Sequence, residues 1–156
     1  MTPEFLLTAL VVVMIPGTGA IYTIGCGLTR GRAAAMAAVA GCTAAVLFHM
    51  AAALAGLAAL LHASSLLFDA VKYAGAAFLL WMAWQTLRET GASAEPGPVA
   101  ERSARRIALR GLLINLLNPK LAIFFAAFLP QFVDAAAPDA AARMAGLGLV
   151  FTGMTA

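Results

Sequence analysis

Uncharged apolar runs alternate with short polar connectors along the whole chain. From Phe5 to Leu28 no side chain is charged, which is enough for a hydrocarbon core that asks for about 20 helical residues. The start Met1-Thr2-Pro3-Glu4 has no positive charge before this run, so the segment is expected to be retained rather than cleaved as a signal peptide. A basic connector at 29–32 leads to a second uncharged run, Ala33 to Leu61. Its many Ala and Gly residues predict a closely packed interior helix. After a turn at 62–69, a third segment covers about 70–87, with Trp81 and Trp84 placed as an aromatic belt. Residues 88–110 form a polar linker whose Ala-Ser-Ala-Glu-Pro-Gly-Pro stretch reads as flexible chain. A fourth segment is expected at about 111–133 and a fifth at 144–156. The fifth is still apolar at Ala156 and too short to span, so it is expected to be an incomplete helix. The pattern predicts an all-α integral membrane protein, a polytopic helical bundle forming a single membrane domain.

Composition agrees. The chain is 63% hydrophobic and 11% charged, with a mean hydropathy of +0.92; a soluble domain has no use for so much apolar surface. A pI near 9.3 could suggest nucleic acid. However, the arginines sit between hydrophobic runs, where they orient helices, and no nucleic-acid partner is expected. The connectors at 29–32 and 88–110 hold seven of the ten Lys and Arg residues. Positive connectors stay in the cytoplasm, which places the 62–69 and 134–143 turns and the N-terminus outside. The basic linker could also touch anionic membrane lipid, though orientation is the more economical reading. Cys26 and Cys42 are too few for a disulfide framework and lack metal or redox spacing. No metal, cofactor or nucleotide-binding loop is implied.

Two break signals interrupt these segments. Asn115 to Phe132 is apolar yet carries Asn115, Asn118, Pro119 and Lys120 inside its ends. A Lys in hydrocarbon is costly and faces a cavity or partner. Asn118 can cap a helix that restarts at Pro119. The other signal is Pro16-Gly17-Thr18-Gly19 in the first segment, where Thr18 and Thr23 offer hydroxyls to freed backbone groups. At about 1.5 Å per residue, Pro16 is roughly 18 Å from the outer end of its segment and Pro119 roughly 12–15 Å from the inner end of its own. Both fall near the midplane of a core about 30 Å thick. The second break lies three spans after the first, so the second unit is inverted relative to the first, as in many secondary transporters. His49 lies at similar depth, either as a core His bonded to backbone or as a functional group. Lys72 is either an interfacial anchor paired with Asp69 or a residue at a substrate entrance.

Taken in order, the Pro-Gly break at 16–17, Arg30-Gly31-Arg32, the Gly-Leu-Ala-Ala-Leu-Leu run at 56–61, Lys-Tyr-Ala-Gly-Ala-Ala-Phe-Leu at 72–79 and Asn118-Pro119-Lys120 resemble the LysE/RhtB family of amino-acid exporters over essentially the whole chain. The Phe-Phe and Leu-Pro-Gln-Phe stretches after Lys120 are similar too. The resemblance implies six membrane helices in two inverted three-helix repeats, in the bacterial cytoplasmic membrane. It also implies proton-driven export of amino acids or related metabolites rather than an enzyme. Many relatives carry Pro-Gly-Pro before Asn or Asp where this chain has Pro-Gly-Thr-Gly, which allows a substrate other than lysine, threonine or homoserine.

Chemistry and resemblance together assign substrate binding to Pro16, Gly17, Thr18, Asn115, Asn118, Pro119 and Lys120. The helix restart at Pro119 and Lys120 suit a carboxylate. Free carbonyls of the preceding half-helices, with Thr18 and Asn115, suit an ammonium. His49 and Lys72 are the coupling or gating candidates. All seven Asp and Glu lie in connectors or near segment ends, leaving His49 as the midplane group that titrates near neutral pH. A homo-oligomer is left open. Two rivals stand beside transport: a non-transporting membrane subunit or relic, and a thiol-redox carrier using Cys26 and Cys42. The topology has a direct check. In a Cys-free background, a membrane-impermeant reagent should label Ser65→Cys from outside and leave Ser93→Cys untouched; the opposite pattern would reverse the orientation.

Overall fold

A computed structural model describes residues 2–61, 70, 73–74, 76–77, 80–81, 84, 103–134 and 137–156. Among them there are helices and short breaks but no strand, in keeping with the all-α membrane fold. Helix α1 spans Pro3–Met14. The Thr2 hydroxyl accepts the Phe5 N–H at 3.4 Å, and Pro3 occupies the first turn, where its missing donor costs nothing. Ile15 ends the helix at φ −76°, ψ 112°, the extended region into which a following proline forces its neighbour. Helix α2, Thr18–Arg30, restarts at an angle of 52° to α1. One residue then separates it from α3, Arg32–Leu61. That residue is Gly31 at φ 79°, a left-handed conformation closed to most side chains.

The second half repeats the device. Helix α4, Ala104–Leu116, gives way at Asn118, whose φ −77° and ψ 109° nearly match those of Ile15. Helix α5, Pro119–Ile123, passes into a π-helical turn, Phe124–Phe128, and a 3-10 turn, Leu129–Phe132. The bend between α4 and residues 119–132 is 53°. Helix α6 covers Ala140–Thr155. An exposed Arg143–Asp139 ion pair at 2.7 Å sits at its start, and the Arg143 hydrogen bond holds the Asp139 carboxyl below its ordinary pKa. Residues Arg32–Gly56 of α3 are long and apolar enough to cross a membrane alone, and each bent pair qualifies if it is counted as one span.

Several boundaries differ from the sequence expectation. The fourth segment begins at Ala104 rather than near 111, so Arg105, Arg106 and Arg110 lie on its first turns instead of in the linker. Counting apolar residues missed this start because Ala and Arg are strong helix formers whatever their polarity. Tertiary contacts hold the extension: the Tyr22 hydroxyl donates to the Ile107 carbonyl at 3.0 Å, and the Arg110 guanidinium lies 5.9 Å from the Tyr22 ring centroid. Likewise α6 starts at Ala140, not 144, while the run at 5–28 is interrupted at Ile15–Gly17, where its Pro-Gly signal predicts a break. Most of the expected third segment at 70–87, including Lys72, and the linker residues 88–102 lie outside the described residues. So does Asp69, its expected partner.

The core gathers where the two breaks meet. Phe5, Val12, Leu121, Phe124, Phe125, Leu129, Met144 and Phe151 are buried together. Phe124 stacks on Phe151 with centroids 4.1 Å apart, and Phe125 meets Phe151 edge-on at 5.5 Å. Opposite faces stay apolar and exposed, as at Leu7, Leu28 and Leu117, which suits contact with lipid tails. Helices α3 and α4 cross at small residues: a Cβ on Gly41 would collide with the Ala108 carbonyl, and one on Gly111 would lie 2.8 Å from the Ala38 carbonyl oxygen. Such small contacts let backbones approach closely in lipid. Gly41→Ala should therefore lower detergent thermal stability by about 1–3 kcal/mol, the scale of overpacking. Gly56→Ala, where a Cβ meets nothing within 4 Å, should be neutral or gain up to about 1 kcal/mol. Equal melting of the two variants would remove the seam at Gly41.

Candidate functional site

Each proline deprives a carbonyl four residues earlier of its helical donor. For Pro16 that carbonyl belongs to Val12; for Pro119 it belongs to Asn115. In hydrocarbon an unpaired carbonyl costs several kcal/mol, so a substitute donor is required. Val12 receives a donor from elsewhere in the chain, and Asn115 receives one from elsewhere beside a local one. The Lys120 ammonium donates to the Val12 carbonyl at 3.1 Å and to that of Ile15 at 2.7 Å. His49 Nε2 lies 3.3 Å from the Asn115 carbonyl, which also accepts the Asn118 N–H at 3.1 Å. Because a carbonyl only accepts, Nε2 of His49 carries the proton. Lys120 comes from the second break and serves the first; His49 comes from α3 and serves the second.

The side chains around Lys120 are equally engaged. Asn115 Nδ2 donates to the Cys42 carbonyl at 3.1 Å, and Asn118 Nδ2 approaches Asn115 Oδ1 at 3.5 Å. Asn118 Oδ1 accepts the Lys120 backbone N–H at 3.0 Å. Asn115, Asn118 and Lys120 are all buried, Lys120 at 8% exposure. A Cβ on Gly19 would strike the Asn115 side chain, and one on Gly17 would lie 3.2 Å from Lys120 Nζ. The glycines thus let the start of α2 rest directly on the second break.

These groups wall a cavity of about 290 Å³, at the small end of ligand pockets, which run from about 300 Å³ upward. Gly17, Gly19, Thr23, Asn115, Asn118 and Lys120 supply its polar wall, while Val13, Ile24, Val46, Leu121, Phe151 and Met154 supply an apolar one. Among the described residues, none of its lining side chains is acidic. Of the residues expected at a site, Gly17, Asn115, Asn118 and Lys120 are brought together here. Pro16, Thr18 and Pro119 are exposed and outside the wall, and the prolines act through the donors they lack. His49 is half-buried and stacks on Phe125 at 6.3 Å rather than lining the cavity.

The location of the free N–H groups also differs from expectation. The restart at Pro119 is capped by Asn118, whereas the restart at Thr18 has no side-chain cap, so the helix end open to an anion is that of α2. The carbonyls expected to be free for an ammonium are held by Lys120. Gly19, Thr23, Cys42 and Thr43 also line the cavity, though sequence reasoning did not assign them to a site. Gly19, inside the Pro-Gly-Thr-Gly break, and Thr23, whose hydroxyl was noted beside it, carried usable signals. Cys26 and Cys42 are buried free thiols; Cys42 lies 3.6 Å from the Gly111 carbonyl and 4.0 Å from Thr23 Oγ1.

Comparison with known proteins gives one family. The model of the family described as LysE type translocator matches residues 10–155. A homoserine/homoserine lactone efflux protein of Salmonella typhimurium is 35% identical over 137 residues, covering 88% of this chain and 66% of that protein. A leucine efflux protein of Klebsiella pneumoniae is 31% identical over 138 residues, covering 83% and 62%. An uncharacterized membrane protein of Vibrio cholerae is 34% identical over 130 residues, covering 83% and 63%. The chain thus spans a little under two thirds of the length of these curated relatives. No solved structure matches it. A match over nearly the whole chain, on a fold whose two broken helices meet at a buried lysine, makes this chain a member of the LysE type translocator family.

Proposed function

We propose that this chain forms the core of a secondary transporter that exports amino acids or related small metabolites across the bacterial cytoplasmic membrane. In this reading the N-terminus is outside, the two broken spans belong to inverted repeats, and the halves rock about the cavity to give alternating access. The observation that carries it is the Lys120 ammonium, donated from one break to the carbonyls of the other in the wall of a small-molecule-sized cavity. Efflux of homoserine, homoserine lactone or leucine is what the named relatives are called after, and the same substrate class is assigned here as part of the proposal. Lys120 and the uncapped start of α2 would bind the carboxylate. The apolar wall would take the side chain. Among the described residues no lining side chain is acidic, so a basic substrate side chain would find no counter-charge there and uncharged amino acids are the favoured cargo.

Export by the purified full chain in proteoliposomes tests the reading directly. Lys120→Met keeps most of the stem and removes the charge, so binding of an amino acid should weaken about 10- to 100-fold, or roughly 1.5–3 kcal/mol. The corresponding amino-acid amide should lose much less, since it lacks the carboxylate. Equal losses for acid and amide at matched expression would exclude Lys120 from carboxylate binding.

Proton coupling is assigned to His49, whose imidazole sits at the second break. Its structural duty is to donate Nε2–H to the Asn115 carbonyl. His49→Gln retains an amide donor without a titrating group, so it should preserve folded protein while flattening the pH dependence of efflux. His49→Ala removes one of the two donors to that carbonyl and leaves the Asn118 N–H in place, so accumulation should fall only slightly. An unchanged pH profile in His49→Gln would remove the proton role and leave the donor role intact.

A further inference from the structure

The end of α1 is built to hold a primary ammonium. Two carbonyls that helix geometry leaves over, Val12 and Ile15, converge on one nitrogen at 3.1 and 2.7 Å. Both partners of that nitrogen are neutral, and among the described residues no acidic side chain lines the cavity beside it. An ammonium held by neutral oxygens can be exchanged for another ammonium without separating an ion pair, and the exchange keeps both carbonyls satisfied. The incumbent is a side chain with a flexible four-carbon stem, and about 290 Å³ of cavity lies next to it. Its two recorded hydrogen bonds leave one of three ammonium donors over, and the uncapped start of α2 lies close by, with a Gly17 Cβ position 3.2 Å from Nζ.

We infer that the Val12 and Ile15 carbonyls form a primary-ammonium subsite that Lys120 holds with its own side chain and yields to the ammonium of an incoming amino acid. The displaced Lys120 then pairs with that molecule's carboxylate. The exchange would break the side-chain bridge between the two broken spans only when a substitute ammonium is at hand, tying release of the halves to loading. This deepens the export reading and rests on it for the identity of the incoming molecule. The subsite itself is defined by hydrogen-bond geometry alone.

The test therefore measures binding rather than export. Lys120→Ala removes three methylenes and the ammonium beyond Cβ, the equivalent of one n-propylammonium ion. With the full chain in detergent, n-propylammonium should raise the melting temperature of Lys120→Ala saturably. It should act much less on the unsubstituted chain, whose own ammonium competes. Tetramethylammonium, a cation with no N–H donor, should do neither. Equal responses of the two proteins, or equal effects of the two cations, would overturn the subsite. If Lys120→Ala does not accumulate, Lys120→Met is compared with Pro16→Ala/Lys120→Met. The added N–H at position 16 gives the Val12 carbonyl a helical donor, and accumulation should recover several-fold; no recovery overturns the proposal. Failed efflux by the unsubstituted chain, with the propylammonium response intact, would instead count against export alone.

Discussion

A backbone carbonyl in hydrocarbon must find a donor, and two prolines in this chain each remove one. Much of the structure follows from how the chain answers that demand. Distant donors answer at both breaks: Lys120 serves Val12 and Ile15, and His49 joins the local Asn118 N–H on Asn115. Since an unsatisfied polar group in the bilayer costs several kcal/mol, the breaks become points of attraction between distant segments rather than local flaws. The close approach of α2 to Asn115 at Gly19, and the burial of a lysine beside a cavity, are both consequences of bringing the breaks together.

The breaks were legible in the sequence because proline and asparagine act locally. Asn118 capping Pro119, and extended backbone before each proline, follow from covalent geometry and need no knowledge of the fold. The approximate extent of α3 was legible too, from a long uncharged run. Partner choice was not. Lys120 looked like a ligand for substrate carboxylate alone, because its reach to Val12, more than a hundred residues earlier in the chain, depends on packing that no local pattern encodes. Thr18 looked like a site residue because its hydroxyl could serve freed backbone groups or an ammonium, yet helical rotation leaves it exposed. The early start of α4 was hidden for a different reason: its first turns are polar, and their order comes from helix propensity together with Tyr22 reaching across from α2.

Symmetry between the halves is closer in backbone than in side chains. The bends of 52° and 53° and the near-identical torsions of Ile15 and Asn118 are what an inverted repeat would show at equivalent positions. The sequences there differ: the first restart is uncapped glycine-rich chain, and the second is capped by Asn118. One break thus offers open N–H groups while the other offers a cation, and a zwitterion needs such unlike surroundings at its two ends.

The connection at Gly31 sets how force can pass through the first half. A single residue joins α2 to α3, and its φ of 79° is a conformation in which few other residues are comfortable. That tight corner joins α2 to α3, while α1 is linked to α2 through Ile15, Pro16 and Gly17. The bend of the first broken helix therefore lies beside the cavity that Gly17 lines. Under the export reading proposed above, a tilt of α2 and α3 about that bend would act directly on the cavity wall.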